Sequence, residues 1–106
     1  MIIYEVCLNI DSVIFTEYSE WLVDHVKKVI AFKGFKKARI LDEIHLDKDS
    51  NMKNATHQLI VQYEIDTIEN LQEYFSLHAT AMRKEGNDLF GKKVKPSRKI
   101  YHELTL

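Results

Sequence analysis

The sequence predicts one α+β domain in which a four-stranded antiparallel sheet carries two helices on one of its faces. Four segments alternate apolar and polar side chains with a period of two residues, which is typical of strands with one buried face. Two segments, after the first and third of these strands, repeat apolar side chains at steps of three and four, which is typical of amphipathic helices. The resulting order is βαββαβ, which a ferredoxin-like fold satisfies. A length of 106 residues fits a single domain over residues 1–106.

The first strand and the first helix are predicted from the N-terminal part of the chain. Residues 2–10 alternate without a break, from Ile2 on the apolar face onward. Asp11 or Ser12 is expected to cap the helix that follows. The buried stripe of that helix comprises Phe15, Tyr18, Leu22, Val26, Val29 and Phe32. Gly34 is expected to end the helix, because glycine accepts the left-handed backbone found at helix ends.

The second and third strands are predicted to form a hairpin. Residues 35–46 and 56–65 both alternate in the manner of half-buried strands. The segment between them, DKDSNMKN, is polar and rich in turn-forming residues, so it is expected to be the hairpin connection.

The second helix and the last strand complete the predicted order. Asp66 or Thr67 is expected to cap the helix, and Gly86 and Gly91 to provide its exit. One face of the helix carries Leu71, Tyr74, Phe75, His78, Ala79, Met82 and Glu85. The basic segment KKVKPSRK is then expected to lead into a strand over residues 99–105.

The two faces of the predicted sheet differ in character. The helix-facing side is apolar throughout, whereas the opposite side mixes polar and apolar groups: Glu5, Cys7, Asn9, Arg39, Leu41, Glu43, Gln58, Ile60, Gln62, Glu64, Tyr101 and Glu103. This mixture is too apolar for bare solvent and too polar for a core. A second copy packed sheet to sheet would cover it, so we expect a homodimer through the polar sheet face.

Composition and charge exclude several classes of protein. Apolar residues at 45% and charged residues at 29% are typical of a soluble globular domain. A net charge of −1 gives no general attraction to nucleic acid or membrane, and no apolar run is long enough to span a bilayer. Cys7 is the single cysteine, which excludes an intrachain disulfide and favours a reducing, cytoplasmic location. The opening MIIYEV has no basic region before its apolar residues, so it indicates a strand and not a signal peptide.

His78 and Arg83 are candidate ligand-binding residues on the second helix. His78 lies on the apolar stripe, where it is either a ligand or proton-transfer group or a histidine of the core edge, and we favour the structural role. Arg83 stands five residues later, so it projects from a different side of the helix. Arg83 is a candidate to bind an anion. The alternative is that its side chain simply extends into solvent.

Arg39 and Arg98 are further candidates to bind a carboxylate or phosphate. Arg39 is predicted on the polar sheet face and Arg98 just before the last strand. Acidic residues on the same face, Glu43, Glu64 and Glu103, are equally available as ion-pair partners, and we favour such a structural network.

No metal or cofactor is expected. His45 and His57 flank the predicted hairpin, but strand parity places their side chains on opposite faces and no third ligand stands at a fixed spacing. The sequence has no glycine-rich phosphate loop, nucleophile elbow or metalloprotease motif. Catalytic residues are therefore not assigned.

RNA binding is not expected either, although ferredoxin-like sheets often bind RNA. The basic residues of segment 92–99 favour it. RNA-binding sheets, however, expose aromatic rings on their central strands, whereas this chain has Glu5, Cys7, Gln62 and Glu64 there.

The chain resembles a small bacterial family, domain-of-unknown-function family 4286, almost from end to end. The residues that carry the resemblance are MIIYEV, Trp21-Leu22, His25, Gly34-Phe35, Ala38-Arg39, Gln62-Tyr63, His78-Ala79, Arg83, Glu85-Gly86, Phe90-Gly91, Ser97-Arg98 and Ile100. Members often carry a proline just after the histidine of the first helix, where this chain has Val26. The resemblance implies a ferredoxin-like chain of the dimeric α/β-barrel type and supplies no activity.

Haem-degrading monooxygenases belong to the same broad barrel class, and their signature is an Asn on strand one, a Trp on strand three and a His on helix two. Asn9, Tyr63 and His78 fall in similar places, so the resemblance adds Tyr63 to the candidate ligand-binding residues. Tyr63 replaces the tryptophan, and strand parity puts Asn9 on the opposite face of the sheet from it.

The function expected from the sequence is therefore a non-enzymatic, homodimeric domain that binds a small ligand or a protein partner. The absence of a catalytic constellation and the half-polar sheet face favour it. The alternative is a small α/β-barrel enzyme, similar to a haem-degrading monooxygenase, that uses His78.

Overall fold

The sheet and helices follow the predicted order. A computed structural model describes residues 1–44, 46 and 56–106. Its elements are β1 (Ile2–Asp11), α1 (Phe15–Val29), β2 (Phe35–Asp42), β3 (Thr56–Ile65), α2 (Ile68–Leu77), α3 (Ala79–Phe90) and β4 (Val94–His102), with single 3₁₀ turns at Ser12–Ile14 and Gly91–Lys93. The four strands pair in the order β2-β3-β1-β4, and every pairing is antiparallel. The predicted ferredoxin-like arrangement is confirmed.

One core lies between the helices and one face of the sheet. Its buried strand residues come from alternate positions, and its buried helix residues recur at steps of three and four. The most deeply buried side chains are Ile10, Leu22, Val29, Val61, Ile65 and Leu71. We call the sheet face that bears the helices the inner face and the opposite one the outer face.

The caps of the helices agree with the predicted positions. The Asp11 side chain accepts a hydrogen bond from the Val13 N–H and so caps the 3₁₀ turn that precedes α1. The Thr67 side chain accepts from the Asn70 N–H at the start of α2. α1 itself ends at Val29, and Gly34 turns the chain into β2 with a φ of 85°.

The predicted second helix is two helices, α2 and α3, that meet at His78. His78 has a φ of −128° and a ψ of −29°, outside helical geometry, although its N–H still donates to the Tyr74 carbonyl. Gly86 was expected at the helix exit and instead lies inside α3. A Cβ atom at Gly86 would lie 2.9 Å from the Trp21 Cη2 atom, so the glycine allows α3 to pack closely on α1.

The boundaries of two strands also differ from prediction. β4 begins at Val94 and ends at His102, because residues expected in the basic connection pair with β1: Lys95 is opposite Asn9 and Arg98 is opposite Val6. β2 ends at Asp42, four residues earlier than predicted. The predicted hairpin segment DKDSNMKN and His45 lie outside the described residues. Among the described residues, no helix is long and apolar enough to cross a membrane.

Gly34→Ala is expected to destabilise the fold more than Gly91→Ala does. Both glycines have a positive φ, which costs a side-chain-bearing residue about 1–3 kcal/mol. A Cβ atom at Gly34 would in addition lie 2.5 Å from Asn70 Cβ, whereas no atom of the described residues lies within 4 Å of one at Gly91. Urea unfolding of both variants measures the difference. Equal losses would show that the close approach of Asn70 contributes nothing.

Candidate functional site

A cavity of about 570 Å³ lies between the inner face of the sheet, α1 and α3. Cavities of roughly 300–1,000 Å³ are typical of small-molecule sites. β1, β3 and β4 supply its floor, and the two helices supply its walls. Gly86 and Gly91 line the cavity and add no side chains to it.

Aromatic rings form much of the cavity wall. Tyr4 stacks on Tyr63 with a centroid distance of 5.7 Å, and Tyr18 contacts Trp21 at 5.5 Å. Trp21 in turn stacks on the His25 ring at 4.6 Å. These contacts hold the rings in place, so the wall is suited to a flat, apolar group.

Tyrosine hydroxyls give this wall a polar component. Burial raises the pKa of Tyr18 and of Tyr74 to about 12, and it raises the pKa of Tyr63 further. Each hydroxyl therefore stays neutral and able to donate at physiological pH. Within the described part of the chain, these three hydroxyls have no hydrogen-bond acceptor, so they are available to a ligand.

Two arginines line the cavity, and neither has a carboxylate partner among the described residues. Arg98 lies on the inner face of β4, and its charge opposes the rise in the pKa of Tyr18, Tyr63 and Tyr74. The Arg83 guanidinium lies 5.9 Å from the centroid of the Phe75 ring. The cavity therefore presents positive charge that no acidic side chain of the described chain neutralises.

His25 is a partly buried polar group of the cavity wall. Its side chain is 15% exposed, and its Nδ1 atom lies 3.7 Å from the Glu85 Oε2 atom, too far for a hydrogen bond. Burial lowers the pKa of His25, with the opposing charge of Glu85 as the next largest influence. The imidazole is therefore neutral at pH 7. Lys28 contacts the same Glu85 oxygen at 3.4 Å.

The structure brings three of the five predicted ligand-binding residues together. Tyr63, Arg83 and Arg98 all line the cavity. His78 lies at the junction of α2 and α3, where its ring stacks on Phe32 with a centroid distance of 4.2 Å. Arg39 lies on the outer face, away from the cavity.

On the outer face, polar side chains form a network within one chain. Arg39 donates to Glu64 at 2.7 Å and to Gln62 at 2.9 Å, and this contact holds the pKa of Glu64 below its usual range. Gln62 donates to Glu5, which also accepts from Tyr101 at 3.2 Å. Arg39 therefore has the structural ion pair that its position suggested.

The structure tests the haem interpretation of the sequence, whereas the arrangement of His45 and His57 considered for a metal site is not tested. His57 contacts Asp42 at 2.8 Å and stacks on Phe15, while His45 is outside the described residues. Asn9 pairs with Gln58 and so faces away from Tyr63, as strand parity predicted. Asn9, Tyr63 and His78 are thus not gathered at one site.

Sequence reasoning did not assign Trp21 or His25 to the site, although both belong to the family resemblance. Their spacing of four residues places them on one side of α1, which was the available signal. Glu85 lies near His25 because α3 approaches α1 closely at Gly86. No local sequence pattern predicts this contact between the two helices.

Comparison with known proteins identifies the family and the fold. The family model described as Domain of unknown function (DUF4286) matches residues 1–104, which confirms the resemblance. No curated protein matches the chain.

Several solved structures are similar over the whole chain. A Deinococcus radiodurans protein, provisionally described as an antibiotic biosynthesis monooxygenase, has a TM-score of 0.72 and 9% identity, and the match covers 100% of this chain and 95% of that chain. SnoaB, a cofactor-independent oxygenase from Streptomyces nogalater, has a TM-score of 0.69 and 8% identity, with 99% and 95% covered. A dimeric ferredoxin-like protein from an uncultured marine organism has a TM-score of 0.58 and 16% identity, with 100% and 99% covered. At such identities the likeness shows the fold alone.

Proposed function

We propose that this chain, which belongs to the DUF4286 family, is a non-enzymatic domain that binds a small aromatic molecule with an anionic group in the cavity on its inner face. The observation that carries the proposal is Arg98, a cation without a carboxylate partner among the described residues, beside an aromatic wall. An anion there is favourable, because a charge-assisted hydrogen bond to arginine is stronger than a neutral one.

The remaining wall supports the same class of ligand. Trp21, which is only partly buried, offers apolar ring surface on which an aromatic ligand can bury area. The neutral hydroxyls of Tyr18 and Tyr74 are donors and suit an acceptor such as a carboxylate, sulfonate or phenolate oxygen. A basic ligand would meet only donors and positive charge at these positions.

Dansyl sulfonate and dansyl amide test this proposal, because they share one ring system and differ in charge. Trp21 is the only tryptophan of the chain and lines the cavity, so energy transfer from it to the dansyl group reports binding. We expect the sulfonate to bind at least about tenfold more tightly than the amide, which corresponds to one charge-assisted contact. Equal affinities would refute the anion site, and the absence of energy transfer with both probes would refute ligand binding in the cavity.

The outer face supports the second part of the proposal, a homodimer in which two sheets pack face to face. Leu41, Ile60 and Cys7 lie side by side on β2, β3 and β1 and form a small apolar row, next to the polar network that starts at Arg39. A symmetric contact would bury that row twice. The single cysteine in the row fits the reducing cytoplasm, which we propose as the location. Native mass spectrometry of the purified protein gives the subunit count, and a monomer would contradict the proposal.

The enzymatic alternative, a haem-degrading monooxygenase that uses His78, has less support. The His78 ring stacks on Phe32 at the junction of α2 and α3. Among the described residues, those that line the cavity do not include His78. A Soret band that forms with haemin and is lost in His78→Ala would favour this alternative over the binding domain.

A further inference from the structure

His25 contributes a partly buried imidazole to the cavity wall, and ligand binding by Arg98 leaves that imidazole unused. Its Nδ1 atom is buried and makes no hydrogen bond within the described chain. Glu85 Oε2 lies 3.7 Å away, on the α3 side, and the Trp21 ring covers one face of the imidazole. The other ring nitrogen, Nε2, also has no hydrogen-bond partner within the described chain, so it can accept a hydrogen bond or a proton from a ligand in the cavity.

We propose that the ligand is a weak organic acid, a phenol or an enol, that enters the cavity neutral and is held as its anion after giving its proton to His25. This inference rests on the proposed ligand binding and names the chemical class of the ligand. The ligand's O–H bond breaks, its electron pair stays on oxygen near Arg98, and an N–H bond forms on the imidazole. No oxidant or cofactor is required, and the proton returns when the ligand leaves.

The surroundings of His25 favour a proton acceptor that becomes charged only when the ligand is present. A proton on Nδ1 faces the Glu85 carboxylate and leaves Nε2 as the acceptor. Once Nε2 is protonated, Glu85 and the stacked Trp21 ring both stabilise the imidazolium. Burial keeps the pKa of His25 low in the empty cavity, so the nitrogen is available to accept.

The other charged groups around the imidazole are unsuited to this role. Lys28 on α1 contacts the same Glu85 oxygen at 3.4 Å and so occupies that carboxylate. Arg83 and Lys84 on α3 and Arg98 on β4 line the cavity as cations, so they attract the anion but accept no proton at neutral pH.

A weak acid also costs less to bind than a permanent anion. A neutral hydroxyl loses far less hydration free energy on entering an apolar cavity than a charged group does. Proton transfer inside the cavity then creates two opposite charges together, each next to a compensating group, the imidazolium by Glu85 and the ligand oxygen by Arg98.

4-Nitrophenol tests the inference, because its neutral and anionic forms absorb at different wavelengths. At a mildly acidic pH, where the free probe is mostly neutral, we expect the wild-type protein to raise the ratio of bound anion to bound neutral form about tenfold, equivalent to one pKa unit of the probe. His25→Gln keeps the size and polarity of the side chain and should lose this increase. Lys92→Gln, outside the cavity lining, is the matched control and should retain it.

Calorimetry in two buffers of different ionisation enthalpy separates proton transfer to His25 from mere anion binding. In the wild-type protein, the proton of 4-nitrophenol passes to His25 and none is released to the buffer. The binding heat of 4-nitrophenol is therefore independent of the buffer. In His25→Gln, only the fraction of 4-nitrophenol that binds as the anion releases its proton to the buffer, so the buffer dependence of the binding heat measures that fraction. Buffer-dependent heat with wild type, or an unchanged anion ratio in His25→Gln, would overturn the inference.

4-Nitroanisole distinguishes failure of this inference from failure of the proposed function, since it has the same ring and no acidic proton. Binding of 4-nitroanisole and dansyl sulfonate without a shift in 4-nitrophenol ionisation would refute only the role of His25. Loss of binding for all these probes would refute the cavity as a ligand site. Circular dichroism and Trp21 emission of His25→Gln verify that the variant is folded.

Discussion

Arg98→Gln is expected to weaken the binding of dansyl sulfonate by about 10- to 100-fold, the loss of one hydrogen-bonded charge worth about 1.5–3 kcal/mol. The binding of dansyl amide is expected to be unchanged, because glutamine keeps a polar side chain of similar reach but removes the positive charge. Arg98 is an exposed residue of the edge strand β4 and has no ion pair within the described chain. The substitution therefore breaks no ion pair of the described chain, and the measured loss reports the ligand.

Two further variants make this result specific to the cavity. Lys92→Gln removes the same charge from the turn before β4, outside the cavity lining, and should leave both affinities unchanged. Arg83→Gln should weaken sulfonate binding less than Arg98→Gln does, because the Arg83 guanidinium is engaged with the Phe75 ring. An equal loss in Lys92→Gln would mean that general electrostatic attraction, and not a site at Arg98, selects the anion.

The sheet faces were predictable because strand parity is a local property. Once residues 2–10 and 56–65 alternate, each side chain has a face, and the pairing of Tyr4 with Tyr63 follows from the register. The prediction that Asn9 and Tyr63 lie on opposite faces succeeded for the same reason. The βαββαβ order then left few topologies to consider.

The position of Arg98 depended on a boundary that the sequence did not fix. Pro96 and the neighbouring lysines resemble a connection, and only pairing with β1 makes them part of β4. Proline is tolerated there because β4 is an edge strand. With the strand beginning at Val94, parity puts Arg98 on the inner face, and an arginine expected before the strand becomes part of the cavity wall.

The break at His78 and the role of His25 both arise from tertiary packing. The apolar periodicity continues through His78, so local sequence predicts one helix, and no proline or glycine marks the junction. His25 and Glu85 are far apart in sequence and meet because Gly86 lets α3 approach Trp21. Such a contact between two helices leaves no periodic signal.

Ile60→Glu is expected to convert the proposed dimer into a monomer. Ile60 lies between Leu41 and Cys7 in the apolar row of the outer face, and two-fold symmetry places two copies of any substitution in the interface. An unpaired buried carboxylate costs about 3–5 kcal/mol, so the dimer dissociation constant should rise by more than about 100-fold. Sedimentation velocity over a range of protein concentrations measures the change.

A matched variant separates this effect from the added charge itself. Ser76→Glu places the same charge on the exposed side of α2, in the helical layer on the opposite side of the sheet, and should remain dimeric. The Ile60→Glu monomer should still bind dansyl sulfonate, because the cavity lies on the inner face of the sheet, opposite the proposed interface. Loss of binding on dissociation would show instead that the second copy shapes the cavity. A dimer that persists in Ile60→Glu would mean that the chains associate through another surface and that the outer polar network faces solvent.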